Sequence, residues 1–168
     1  MKNFIRKNNN AKKEKKSHGF MMVEIMIAVS IMFIVTIATM SVVQKGLSVS
    51  RQSFHITQAS FLLEEGGEAV RIVRDNGWTN ISNLSIGTTY FPTFNNTWIL
   101  STTSNNVDNF TRTVTVGNVN RDATTGDIVS SGGVLDTGTK LITVNVFWQE
   151  NGRTITKSLS FYITDIFS

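Results

Sequence analysis

The chain has no cysteine, a single proline and two histidines among its 168 residues. The absence of cysteine excludes disulfides, thiolate nucleophiles and cysteine-ligated metal sites, so packing, hydrogen bonds or a bound ion must hold any folded domain together. One histidine, His18, lies in the basic N-terminal segment, and we expect the other, His55, to be a solvated helix residue. The sequence contains neither a phosphate-binding glycine loop nor a Gly-x-Ser-x-Gly motif. We therefore predict a structural protein and not an enzyme.

One long apolar run interrupts the polar sequence near the N-terminus. From Phe20 to Val43 the only ionisable side chain is Glu24. A helix of this length reaches roughly 36 Å, enough to cross a hydrocarbon core of about 30 Å. An unpaired carboxylate just inside such a span costs several kcal/mol or becomes protonated. Glu24 therefore needs a cationic partner, and the nearest candidate is a free amine on Phe20, which exists only if the chain is cut after Gly19.

The junction Gly19-Phe20, with Glu24 at the fifth position after it and an apolar helix following, resembles the prepilin peptidase site of type IV pilins and pseudopilins. The resemblance implies that prepilin peptidase removes the leader on the cytoplasmic side and that the new amine of Phe20 is methylated. It further implies a helical filament in which Glu24 offsets the charged amine of a neighbouring subunit. The family usually has Thr-Leu where this chain has Met21-Met22, and both positions remain apolar.

The positive charge of the chain belongs to residues 1–19. Of its 16 basic and 12 acidic residues, 9 basic and 11 acidic remain after Gly19, which leaves a net charge of −2. We therefore expect no nucleic-acid partner for the processed chain. The positive-inside rule instead predicts a cytoplasmic N-terminus and a domain on the far side of the membrane. The seven basic residues of the leader are Lys2, Arg6, Lys7, Lys12, Lys13, Lys15 and Lys16.

Residues 20–45 are predicted to form the membrane-spanning, filament-core half of one helix, and residues 46–77 its amphipathic half. Asn76-Gly77 is a helix-stop signal. Gly66-Gly67 indicates either a bend or a close approach of the sheet. The end of this segment, residues 64–78, resembles minor pilin-like proteins. The apolar residues predicted to repeat along one side of the amphipathic half are Leu47, Phe54, Phe61, Leu62, Ala69, Ile72 and Val73.

Residues 78–168 are rich in Thr, Ser, Asn and Gly with alternating apolar positions, which predicts an antiparallel sheet. Strands are predicted over 110–116, 142–148 and 155–163, with Glu150-Asn151-Gly152-Arg153 as a type I′ hairpin turn. A shorter strand or pair is predicted over 90–100, where Pro92 indicates an edge. The predicted fold class is α+β, with the long N-terminal helix packed on the C-terminal sheet, as in the lollipop-shaped pilins.

The segment 118–139 is predicted to be a polar loop. It contains Asp122, Asp127 and Asp136 among glycines, and some pseudopilins bind calcium in such loops. The spacing matches no EF-hand, so a solvated connecting loop is favoured over a calcium site, and no cofactor is expected.

The predicted partners are prepilin peptidase, other pilin or pseudopilin subunits, an inner-membrane assembly platform and membrane lipid. The predicted location is the cytoplasmic membrane, single-pass, followed by an extracellular pilus or a periplasmic pseudopilus of the type II secretion kind. Three alternatives stay open. They are a plain signal anchor, a secretory signal peptide cut after Ser48-Val49-Ser50, and a membrane-anchored surface binding protein or adhesin that never polymerises.

Overall fold

The computed structural model describes residues 18–166, with side chains described from Phe20 onward. The predicted leader, residues 1–19, lies outside this part of the chain except for the backbone of His18 and Gly19. The chain divides into two units, Met1–Ser50 and Arg51–Ser168. The described elements are α1 (His18–Asp75), α2 (Thr79–Ser82), β1 (Thr89–Asn95), β2 (Thr97–Ser101), β3 (Asn106–Val107), β4 (Phe110–Arg121), β5 (Ile128–Val129), β6 (Val134–Glu150) and β7 (Arg153–Thr164).

Helix α1 is continuous over 58 residues. It ends where the sequence predicts, because Gly77 takes a positive φ of 143° and donates its N–H to the carbonyl of Arg74 at 2.9 Å. In the first unit every described side chain of the helix, from Phe20 to Ser50, is exposed. Gly66 and Gly67 both lie within α1, so the glycine pair does not interrupt the helix.

The second unit contains a seven-stranded antiparallel sheet whose main order is β2-β1-β4-β6-β7. The longest pairings join β6 to β4 on one side and to β7, a terminal strand of the sheet, on the other. Asn151 and Gly152 join β6 to β7 with φ values of 50° and 74°. Positive φ at both central residues is the type I′ geometry that matches the twist of the strands, so the hairpin prediction is confirmed.

From Arg51 to Asp75 the helix packs on one face of this sheet, which confirms the predicted α+β fold class. The close approach occurs at Gly66, where a Cβ atom would lie 2.7 Å from Cγ1 of Val144. The buried residues of α1 in this contact are Ala59, Leu62, Ala69, Val70 and Val73, and the buried strand residues opposite them include Phe110, Val114, Val116, Ile142, Val144, Val146 and Trp148.

The predicted core-facing side of the amphipathic half is wrong at four positions. Leu47, Phe54, Phe61 and Ile72 are exposed, the two phenylalanines by 63% and 65%. The side that meets the sheet is instead lined by glycine, alanine, valine and leucine, without an aromatic ring. A sheet that comes within van der Waals distance of the helix backbone leaves no space there for a phenylalanine ring.

The predicted loop over 118–139 is also largely wrong. β4 continues to Arg121 and β6 begins at Val134, and the two strands pair across a register shift between Asn118 and Val119. The bulge breaks the apolar alternation at that point, which is why the pattern predicts a loop where the backbone pairing in fact continues. The connecting segment that remains contains the two-residue strand β5, which pairs with the end of β4.

Candidate functional site

The candidate processing and assembly site lies at the start of α1. The Gly19–Phe20 bond belongs to the first turn of the helix. Phe20 and Glu24 are four residues apart, so they lie on the same side of the helix, one turn above the other. Both residues line one shallow groove on the helix surface together with Val23, Ile27, Ala28 and Ile31. An amine on Phe20 would be the first backbone group of the cut helix, one turn from the residue that carries the Glu24 carboxylate.

Glu24 has no hydrogen bond or ion pair with any described residue. The other polar side chains between Phe20 and Val43 are satisfied within the helix. The hydroxyls of Ser30, Thr36, Thr39 and Ser41 donate to carbonyls one turn earlier at distances from 2.7 to 3.0 Å. Between Phe20 and Val43, Glu24 is thus the one described polar side chain that lacks a partner.

The apolar half meets the length and composition of a membrane span. Over its most apolar 18-residue window the mean hydropathy is 2.5, and none of that window is buried inside the structure. It is the one helix of this kind in residues 18–166. A membrane or other subunits can cover this surface, because neither leaves the apolar side chains in water.

The three candidate calcium ligands do not form a metal site. Asp122 accepts hydrogen bonds from the backbone N–H groups of Thr125 and Thr124, which lower the pKa of its carboxyl group. Asp136 is ion-paired with Arg121 at 2.6 Å, and this guanidinium together with the Thr139 hydroxyl lowers the pKa of Asp136.

Asp127 is a third, exposed residue of the same connection, and its backbone carbonyl accepts the N–H of Asp122 at 2.8 Å. Within residues 18–166 no three His, Cys, Asp or Glu side chains are grouped so that they could hold a metal ion. Two of the three carboxylates therefore organise the connection between β4 and β6 through hydrogen bonds and an ion pair.

Arg112 is a buried charge that is not among the site residues predicted from the sequence. Its side chain is 3% exposed, pairs with Glu65 on α1 at 2.9 Å, and stacks on the Trp98 ring with 5.3 Å between guanidinium carbon and ring centroid. The Nε atom of Arg112 is buried without a hydrogen-bond partner among the described residues. A regular alternation from Phe110 to Val116 places Arg112 on the apolar face of β4, and this register is the sequence signal for its burial.

His55 is also not the solvated helix residue that the sequence predicts, because its side chain is partly buried against the core. Its ring contacts Phe110 edge-on with 6.1 Å between centroids, and its Nδ1 atom is 4.0 Å from Oε1 of Glu150. Glu150 also accepts a hydrogen bond from the Trp148 indole at 3.3 Å. This cluster fixes the end of the β6–β7 hairpin against the helix.

In comparisons with protein-family models, curated proteins and solved structures, no match to this chain is found.

Proposed function

We propose that this chain is a structural subunit, of the minor kind, of a type IV pilus or a type II secretion-like filament. Prepilin peptidase cuts it after Gly19, the amine of Phe20 is methylated, and the chain then joins other pilin-like subunits through an inner-membrane assembly platform. Before assembly it is held in the cytoplasmic membrane by the apolar half of α1, with the N-terminus on the cytoplasmic side.

The observation that carries the proposal is the isolation of Glu24. Among the described residues, its carboxylate is the one polar side-chain group between Phe20 and Val43 without an internal partner, and it lies one turn from Phe20. Placing an unpaired carboxylate in hydrocarbon costs about 2.5–3.5 kcal/mol or more. A cationic amine from a neighbouring Phe20 would remove that cost in a filament, and so an unfavourable residue in a lone anchor becomes a favourable one in an assembly.

A variant of Glu24 tests this role in the cell of origin. Glu24→Ala should leave membrane insertion and cleavage unchanged, because it makes the span more apolar and does not alter Gly19 or Phe20. We expect it to reduce the fraction of the chain recovered in filaments at least tenfold, since the Phe20 amine then enters the filament core without its counter-charge. The measurement is the amount of processed chain in purified filaments relative to the amount in the membrane.

A matched control keeps the composition and moves the carboxylate. The double variant Val23→Glu with Glu24→Val has the same hydropathy as the natural chain but carries its charge about 100° further round the helix. It should fail to assemble as Glu24→Ala does. Normal incorporation of either variant would refute the charge-matching role. A processed chain that never enters filaments even in its natural form would favour the membrane-anchored binding protein.

A further inference from the structure

A cleft of about 430 Å³ runs along one edge of the sheet, at the opposite end from β7. One wall is β2, which is the terminal strand of the sheet. The other wall comes from the C-terminal end of α1 and from α2. The residues that line the cleft are Val73, Asn76, Asn80, Thr97, Trp98, Ile99 and Leu100.

The lining residues indicate that the cleft includes the open edge of β2. Successive side chains of a strand point to opposite faces of the sheet, yet all four residues from Thr97 to Leu100 line the same cleft. Only the open side of the strand is shared by both sets of side chains. β2 has β1 on its other side and no strand partner here within the described residues.

The pairing with β1 identifies the backbone groups that face the cleft. Pro92 is opposite Leu100, has no N–H to give, and uses its carbonyl to accept the side-chain amide of Asn105 at 3.2 Å. Pro92 and Leu100 therefore form a non-hydrogen-bonded pair, in which the backbone groups point away from each other. Since such pairs alternate along an antiparallel ladder, the same holds for Phe94 and Trp98.

The N–H and C=O groups of Trp98 and Leu100 thus point into the cleft. No turn, loop or cap hydrogen bond within residues 18–166 uses them. The two residues are spaced about 6.8 Å apart along the strand. They present two donors and two acceptors in the pattern that the backbone of an additional strand satisfies.

We propose that this cleft binds an extended, uncharged peptide segment of another protein, which adds to the edge of β2 as an extra strand. Strand addition of this kind draws affinity from the main chain and specificity from alternate side chains. None of the seven lining residues is ionisable, which disfavours a charged segment. Val73, Trp98 and Leu100 supply an apolar floor for one side chain of the segment.

The C-terminal end of α1 and the short helix α2 favour binding of a single extended segment and disfavour the edge of a second sheet. They stand opposite β2 across the cleft, so a sheet brought in edge-on would meet them. Asn76 and Asn80 each donate one amide N–H within the domain, to Thr97 and to the carbonyl of Val73. Their amide oxygens have no partner among the described residues and can accept hydrogen bonds from the segment. This inference does not depend on filament assembly, because an anchored binding protein would use the same edge.

The first test uses the full chain in detergent micelles and amide hydrogen exchange measured by NMR. Without peptide, the amides of Trp98 and Leu100 should exchange rapidly, whereas the amide of Ile99, paired to β1, should be protected. Slow exchange at Trp98 and Leu100 in the free protein would overturn the proposal, because these groups would not be open.

The second test selects octapeptides from a phage-displayed random library on the same protein and measures their affinity as synthetic peptides. We expect enriched sequences without charged residues and with apolar residues at alternate positions, and we expect the bound peptide to protect Trp98 and Leu100 from exchange. Asn80→Trp, which fills the cleft from α2, should weaken binding at least tenfold. Asn83→Trp is the matched control, because Asn83 is exposed beside α2 but does not line the cleft.

A backbone variant separates strand addition from side-chain contact. Leu100→Pro removes the outward N–H while leaving the hydrogen bonds to β1 in place, as proline is tolerated on the open side of an edge strand. It should lose peptide binding at least tenfold, and if it does not fold, Asn80→Trp decides alone. The proposal is wrong if no peptide is enriched, or if enriched peptides bind Asn80→Trp as tightly as the natural chain.

Discussion

A methyl group added at Gly66 should destabilise the domain, whereas the same change one residue later should stabilise it. A Cβ atom at Gly66 would lie 2.7 Å from Cγ1 of Val144 and 3.0 Å from Cδ of Arg112. A Cβ atom at Gly67 would have its nearest neighbour, a ring carbon of Phe161, at 3.7 Å, which is ordinary contact. The two glycines therefore form a matched pair within one turn of the same helix.

The magnitudes follow from two opposing contributions. Alanine is more favourable than glycine inside a helix by about 0.8–1.0 kcal/mol, so Gly67→Ala should raise the free energy of unfolding by about 1 kcal/mol. Gly66→Ala gains the same amount but forces a fully buried valine to move, and overpacking of this kind costs about 1–3 kcal/mol. We expect Gly66→Ala to be less stable than Gly67→Ala by about 1–3 kcal/mol.

Urea unfolding followed by tryptophan fluorescence measures this difference in the full chain in detergent. All three tryptophans, Trp78, Trp98 and Trp148, lie after the helix, so the signal reports the sheet domain and not the apolar half of α1. Combining Gly66→Ala with Val144→Ala gives the new methyl group the space of the lost one. The double variant should be more stable than the sum of the two single changes predicts, by about 1 kcal/mol. Equal stability of Gly66→Ala and Gly67→Ala would refute the close approach of helix and sheet.

Two ion pairs give further predictions. Glu65→Ala should lower the free energy of unfolding by about 1–3 kcal/mol because it leaves the buried guanidinium of Arg112 without its partner, whereas Arg112→Met should stay within about 1 kcal/mol of the natural chain. Urea unfolding measures both variants, and a larger decrease in the free energy of unfolding for Arg112→Met than for Glu65→Ala would contradict this role of the ion pair. Arg121 lowers the pKa of Asp136 in the folded state, so this pair stabilises the fold above the ordinary carboxyl pKa, and the contribution disappears as pH falls through the lowered value. Asp136→Asn should therefore cost about 0.2–1 kcal/mol at pH 7 and progressively less as the pH falls below the ordinary carboxyl pKa, and a loss that is independent of pH would rule out the ion pair as its cause.

The sequence predicts the elements of this fold better than it predicts their faces. The extent of α1 and the type I′ hairpin depend on local signals, namely Asn76-Gly77 and Asn151-Gly152, and both are confirmed. The side of the helix that meets the sheet depends on how close the two come. Phe54 and Phe61 have the spacing of a core face, but the real contact is made through Gly66 and small neighbours, a signal that Gly66-Gly67 does carry in the sequence.

The polar parts of the sheet could not be predicted in the same way. The pairing of β4 with β6 beyond the bulge at Asn118 uses backbone hydrogen bonds, which leave no hydrophobic pattern. The unpaired backbone groups of β2 also leave no hydrophobic pattern in the sequence. They are identified only from the pairing of β2 with β1 and from the hydrogen bond that the Pro92 carbonyl accepts from the Asn105 side chain. The lone carboxylate of Glu24, in contrast, is visible in the sequence, and the structure adds that the neighbouring hydroxyls are already satisfied.

The most direct test of the proposed function is the N-terminus of the protein extracted from membranes. The chain is expressed with and without a prepilin peptidase, and its intact mass and N-terminal residue are determined by mass spectrometry. The proposal predicts a chain that begins at N-methylated Phe20 only when the peptidase is present. An uncut chain in both cases, or one that begins at Arg51, would leave Glu24 without its cationic partner and contradict the account.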